Sequence, residues 1–271
     1  MNKTSISWTD FTSSPIKPVE KGWMCAKVST GCEHCYSEAL NMRYGNKKSF
    51  NVVNLSNTEF RIDENEIKRI KKVPSGSKVF LQDMTDIFNE KIPFELIEQV
   101  MEVIKSKSDV TFQILTKRPD RLASFLHYHG YVVRGGDHHY DYFLPRNIWI
   151  GVSVETKRFT DRINELYYLK YNWEVLPNVT FISFEPLLDD IGNLDMSGIS
   201  WIVIGGESGS HHRPMNIEWA RNLVRQAKDQ GVAVWMKQLG GFRPGGELED
   251  FPEDLRIREF PKEIRNDQDL P

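Results

Sequence analysis

Six short apolar, β-rich runs recur along the 271 residues, at 79–82, 111–115, 148–154, 180–184, 201–206 and 232–238, and they constrain the fold more than any other feature. Most lack the alternation of a half-buried strand and read as strands buried on both faces. Helical patterns lie between many of them. Phe94, Ile97, Met101 and Ile104 share one face behind Pro93, which suits a first helical position. Phe159, Ile163, Leu166 and Tyr167 form a second face. Ile217, Ala220, Val224 and Ala227 form a third, with Asn216 as N-cap and Gly231 as stop. The stretch 185–200 is too short and broken for a full crossover helix.

Strand–helix alternation at a spacing of about thirty residues means parallel strands joined by right-handed crossovers. With a seventh strand near the cysteines, the expectation is an α/β fold, a full or partial TIM-type (β/α) barrel over residues 1–240. An open doubly wound sheet is the alternative. Residues 241–271 read as an acidic C-terminal extension, packed on the barrel or partly irregular. In either architecture functional groups belong at the C-terminal strand ends, and those ends are polar. They read Gln82-Asp83-Met84-Thr85-Asp86, Thr116-Lys117-Arg118-Pro119, Ser153-Val154-Glu155, Ser183-Phe184-Glu185-Pro186, Gly205-Gly206-Glu207-Ser208 and Lys237-Gln238. One polar end is ordinary capping, whereas six converging on one rim point to a site.

Hydrophobic residues make up 39% and charged residues 27%, which favours a large buried core over disorder. No apolar run approaches the roughly 18–20 residues of a membrane helix. The N-terminal MNKTSISWTDFTSSP lacks the apolar core of a signal peptide, so a cytoplasmic protein without a membrane partner is expected. The net charge of −3 is concentrated in 247–271, with nine acids and four bases; the remainder is near neutral and neither supports nor excludes nucleic-acid binding. There is no Ser–His–Asp order, phosphate loop or G-x-G-x-x-G. Arg134-Gly135-Gly136-Asp137-His138-His139 reads as a flexible loop with solvated histidines.

All three cysteines fall within eleven residues, as Cys25, Cys32 and Cys35 in a C-x6-C-x2-C pattern. An odd, clustered set argues against a disulfide framework. The C-x2-C pair brings two thiolates to one centre, and Gly31 frees the backbone for that turn. Three thiolates can hold three irons of a 4Fe–4S cluster and leave the fourth open to a substrate or cofactor. Two other readings stand beside it: a zinc site completed to Cys3His by His34 or a distant histidine, and no metal at all. A helix-like run at 37–44 follows and would pin the third ligand.

Several longer strings add to this pattern: Ile6-Ser-Trp-Thr-Asp10, Lys27-Val-Ser-Thr-Gly-Cys32-Glu-His-Cys35-Tyr36-Ser-Glu38, Asp86-Ile-Phe88, Gln113-Ile-Leu-Thr-Lys-Arg-Pro119, Trp149-Ile-Gly-Val-Ser-Val-Glu155, Phe184-Glu-Pro-Leu187 and Val203-Ile-Gly-Gly-Glu-Ser-Gly209. In this order, from about residue 6 to 240, the chain resembles the three-Cys-motif family of phages and bacteria, also called Gp37/Gp68-like, which is grouped with radical S-adenosylmethionine (SAM) proteins. The resemblance implies a radical SAM-like partial barrel, a 4Fe–4S cluster on Cys25, Cys32 and Cys35, and bound SAM that is cleaved to abstract a hydrogen atom from a substrate. Most radical SAM enzymes have a first gap of three where this chain has six. The residue before their third cysteine is often aromatic; here it is His34, with Tyr36 just beyond.

Carried onto this chain, the resemblance makes Tyr36, Asp83, Thr85, Ser153 and Glu155 candidate cofactor contacts. Asp83 and Thr85 lie where the SAM amino group is held, and Ser153 and Glu155 serve the ribose and amino group. Lys117, Glu185, Glu207 and Lys237, with Arg118 and Gln238, would face SAM or substrate, and the first four are the catalytic candidates. The expected substrate is a nucleotide or nucleic-acid base, as in phage-type DNA modification or repair. Lys117, Arg118, Arg121, Arg134, Arg146, Lys157 and Arg158 are its candidate phosphate contacts. The expected electron donor is a flavodoxin or ferredoxin. A reading of another class is a non-catalytic, zinc- or cluster-stabilised module that binds nucleic acid or a partner.

Overall fold

The computed structural model describes residues 2–128, 144–173, 179–243, 245 and 247–262. Strand β1 (Asn2–Lys3) runs antiparallel to β2 (Phe11–Ser13), and β3 (Ile16–Pro18) pairs with β4 (Phe60–Ile62) in a separate ribbon. The main sheet continues from β2 through β5 (Lys78–Leu81), β6 (Thr111–Thr116), β7 (Ile148–Ser153), β8 (Val179–Phe184), β9 (Trp201–Gly205) and β10 (Ala233–Gln238). Every pairing from β2 to β10 is parallel. These seven strands curl into a half-barrel, the partial form of the expected barrel. The seventh strand near the cysteines is β2.

Burial on both faces explains why the strands do not alternate. One set, including Leu81, Ile114, Ile150, Val152, Ile182, Ile204 and Met236, packs into the cluster that covers the helices. The alternate set, Phe80, Trp149, Phe181, Trp201, Val203 and Trp235, joins Trp8 in a second, largely aromatic cluster on the other face. The Trp201 ring lies 5.4 Å from Phe181, 5.6 Å from Trp149, 6.0 Å from Trp8 and 6.3 Å from Trp235, in tilted or edge-on contacts that suit aromatic quadrupoles. This packing fills one end of the half-barrel and leaves the C-terminal strand ends open above it.

The helices are α1 (Tyr36–Tyr44), α2 (Val52–Ser56), α3 (Glu64–Ile70), α4 (Phe94–Lys105), α5 (Pro119–Tyr128), α6 (Asp161–Trp173) and α7 (Ile217–Asp229). Helix α4 buries Ile97, Val100, Met101 and Ile104, with Pro93 as its N-cap rather than its first helical residue. Helix α7 is capped by the Asn216 side chain on Glu218 N and ends before Gly231 at φ +70. The face expected around 159–167 is corrected. A 3-10 turn at Lys157–Phe159 delays the helix, so Ile163, Leu166 and Leu169 are buried while Tyr167 is exposed. The β8–β9 connection is not helical.

The described part of the C-terminal extension packs on the barrel. Phe251 and Leu255 join the helix-side core, and Phe260 lies 4.6 Å from the Trp235 ring. No helix among the described residues is long and apolar enough to cross a membrane. The histidine-containing loop at 134–139 lies outside the described residues.

Candidate functional site

The open end of the half-barrel holds a cavity of about 270 Å³. Its wall includes Cys25, Cys32 and Cys35 together with residues from the polar strand ends. Among the sequence candidates, Tyr36, Asp83, Thr85, Lys117, Ser153, Glu185, Glu207 and Lys237 all line it. Glu155 does not. It is wholly buried and its oxygens are taken by Ser29 Oγ at 2.6 Å, Lys117 Nζ at 2.9 Å and Arg162 Nη1 at 3.0 Å. Through Ser29, Glu155 holds the cysteine loop to the end of β7.

That loop is tied to the strand ends at several points. Arg118 Nη2 donates to Ala26 O at 3.0 Å while its other nitrogens meet Asp86 and Glu90. Arg213 Nη2 donates to Thr30 O and Nη1 to Glu33, and its guanidinium also grips Glu207, which pairs with His34 Nδ1 at 3.0 Å. After Cys35, Tyr36 OH donates to Asp83 O at 2.6 Å and Ser37 Oγ to Met84 O at 2.5 Å. Met24, Ala26, Phe50 and Leu55 form a small core against which Cys25 and Cys35 pack. The cysteines thus sit on a braced segment. Sequence reasoning missed Ser29, Arg162 and Arg213, whose partners are remote or unmarked by any local motif.

Burial disfavours the thiolate form of two of the three cysteines. All three cysteines are free. Burial pushes the Cys25 thiol up to about 11 against the opposing Arg118 guanidinium. Burial also raises Cys35, although backbone N–H groups of Glu38 and Ser37 at the start of α1 work against it. The nearby cations Lys117 and Arg118 are already paired, Lys117 with Glu155 and Arg118 with Asp86 and Glu90. Burial tends to raise the Glu155 carboxyl, but Lys117, Ser29 and Arg162 prevail and hold it below the ordinary carboxylate range. Asp83 is raised by burial despite Ser14 Oγ donating to it at 2.8 Å.

Three wall residues carry buried polar atoms without a hydrogen-bond partner among the described residues: Thr85 Oγ1, Trp8 Nε1 and Glu185 Oε1, the last held only by its ion pair with Lys237. Lys237 Nζ meets Glu185 Oε1 at 2.7 Å, which places an ammonium and a carboxylate side by side. Gln238 is absorbed by Gly206 O and Gly245 N. Of the candidate phosphate contacts, Arg118 is internal and Arg121 donates to Ile92 O and covers the Phe94 ring. Lys157 and Arg158 are exposed, and Arg134 lies outside the described residues. Among the described residues no three His, Cys, Asp or Glu side chains are arranged to hold a single metal ion.

No curated protein and no solved structure matches the chain. One family model does, over residues 3–264, and its description is a protein of unknown function, DUF5131. That match spans almost the whole chain, and the protein therefore belongs to the DUF5131 family.

Proposed function

We propose that this chain is a radical SAM enzyme whose Cys25, Cys32 and Cys35 hold a 4Fe–4S cluster. The observation that carries the reading is the shared cavity: three free cysteines open onto the same space as the polar C-terminal ends of the parallel strands. A half-barrel with its functional groups at that end fits an enzyme site. Three thiolates leave one iron without a protein ligand, as a cluster that engages a cofactor needs. The ligands of a cluster each take a different iron, so they need not converge on one point as zinc ligands must.

In this reading Lys117 and Arg118 offset the charge of the cluster, and Glu155 fixes Lys117 and the loop together. The backbone around Asp83 and the unpartnered Thr85 hydroxyl supply polar contacts for the amino-acid end of SAM, with Ser153 beside them. The Glu185–Lys237 pair meets the substrate or the remaining charges of the cofactor. The aromatic packing beneath excludes water. When bound, cluster and SAM together supply radical hydrogen-atom abstraction. A nucleotide or nucleic-acid base is the proposed substrate class, and the cavity's mixture of aromatic and hydrogen-bonding wall suits such a ring.

The test is to reconstitute the protein anaerobically with iron and sulfide, reduce it, add SAM and measure 5′-deoxyadenosine. The wild type should form it and Cys32→Ala should not. A colourless protein that binds zinc tightly and holds no cluster overturns the enzyme in favour of a non-catalytic binding module.

A further inference from the structure

Four of the chain's seven tryptophans, Trp8, Trp149, Trp201 and Trp235, meet in one cluster inside the half-barrel. Trp8 forms part of the cavity wall. Its ring lies 6.0 Å from that of Trp201, which in turn lies 5.6 Å from Trp149 and 6.3 Å from Trp235. Phenylalanine packs in the same tilted and edge-on ways, as Phe80 and Phe181 do here. Packing alone therefore does not call for indole. What indole adds is chemical: it gives up an electron far more readily than a phenyl ring, and electrons pass readily between rings in contact.

The three rungs differ in how well they bear the positive charge left behind. Oxidation turns the indole N–H into a strong acid, so an acceptor on Nε1 stabilises the oxidised ring. A buried charge without such a partner is costly. Trp8 Nε1 has no partner among the described residues. Trp201 Nε1 donates to Glu259 O at 2.8 Å. Trp235 Nε1 donates to Ser7 Oγ at 3.1 Å, but the Arg258 guanidinium lies 5.8 Å from its ring and opposes a second positive charge there. A charge made on Trp8 thus runs downhill to Trp201 and rests there, fully buried and one ring removed from the cavity.

We propose that Trp8 and Trp201 form a ladder that supplies one electron to an oxygen-centred radical in the cavity. A hydroxyl radical there gains the electron and becomes hydroxide. Trp8 loses that electron and is refilled from Trp201, which is left as an indole cation radical hydrogen-bonded through Nε1 to Glu259 O. No bond forms or breaks. The ladder spares Cys25, Cys32 and Cys35, which are free and share the cavity with Trp8. It needs no metal and does not depend on the enzyme reading above.

The experiment uses the metal-free full chain with Cys25→Ser and Cys35→Ser, carrying a ruthenium polypyridyl photo-oxidant on Cys32 in the cavity wall. A laser flash with an electron-accepting quencher oxidises the ruthenium, and transient absorption follows its recovery. An indole radical should appear as the ruthenium recovers. Trp8→Phe should abolish that signal. Trp201→Phe should leave a weaker signal that decays faster, because the charge then stays beside the sensitiser. Trp23→Phe, outside the ladder, should change nothing. A second measurement uses the wild-type cysteines: under a thermal peroxyl-radical generator, Trp8→Phe should lose its thiols faster than the wild type. Near-ultraviolet dichroism checks that each variant is folded. An indole signal that survives Trp8→Phe, a signal lost in Trp23→Phe instead, or thiol loss unchanged by Trp8→Phe overturns the ladder and leaves the enzyme reading intact.

Discussion

The Glu155 carboxylate accepts a hydrogen bond from Ser29 Oγ at 2.6 Å, across 126 residues of sequence. This single contact joins the end of β7 to the middle of the cysteine loop. The same carboxylate also balances Lys117 and Arg162, and its side chain is fully buried. Cysteine placement therefore depends on a buried charge cluster rather than on the loop alone. Replacing Glu155 by Gln leaves two cations short of their counter-charge and is expected to cost about 3–5 kcal/mol. Urea unfolding of the metal-free protein measures this, and iron retention after reconstitution should fall in parallel. Ser29→Ala should cost less and loosen the loop without unfolding the barrel.

Gly31 has no room for a side chain. A Cβ there would stand 2.5 Å from Glu155 Cγ and 2.6 Å from its Oε1. Gly31→Ala should destabilise by about 1–3 kcal/mol through overpacking, and reduce cluster loading more than it reduces overall stability. Equal iron content in mutant and wild type would show that the loop relaxes away from Glu155 at no cost to the site.

The Glu207–Arg213 pair should make the metal-free fold acid-sensitive. Burial works to raise the Glu207 carboxyl, but hydrogen bonds from Arg213 and His34 pull it from 4.5 to about 2. A carboxyl lowered in the folded state stabilises fully above its unfolded value, and the contribution fades as pH falls through the folded one. The loss should fall between about pH 4.5 and 2. Glu207→Gln should be less stable at neutral pH and show a flatter stability profile across that window, measured by denaturant midpoints at each pH.

Trp201 is the hub of the aromatic packing and is fully buried. Trp201→Ala should cost about 3–5 kcal/mol and lower the thermal midpoint, with loss of the near-ultraviolet dichroism of the coupled indoles. Retention of both would show that the neighbouring rings close the gap.

Legibility in the sequence followed the reach of each interaction. The run 148–154 reads as a strand because Ile148, Ile150 and Val152 face the helices while Trp149 and Gly151 face the other way, so both faces demand burial. The strand β2 has only three residues and no helix of its own before it, and its place in the sheet follows from pairing with Val79–Leu81, which no local pattern encodes. The C-x6-C-x2-C spacing brought the cysteines to notice, and the polar strand ends indicated the rim. What spacing could not convey was the division of labour among the carboxylates. Glu155 and Glu185 look alike at strand ends, yet one is spent on Ser29, Lys117 and Arg162 and the other lines the cavity with Lys237. Nor could it reveal Arg213, whose contact with Glu33 spans 180 residues. Helix α1 was readable as a helix, but its polar interior depends on the Asn41 hub formed by chain folding back through Trp23 and Lys48.

The most direct test of the central claim is the electron paramagnetic resonance spectrum of the reduced, reconstituted protein with and without SAM. The account predicts a signal from one 4Fe–4S centre, lost in Cys25→Ala, Cys32→Ala and Cys35→Ala, that shifts when SAM is added because the iron lacking a protein ligand takes the cofactor. A cluster signal that SAM leaves unchanged, from protein that also fails to bind SAM, would contradict it.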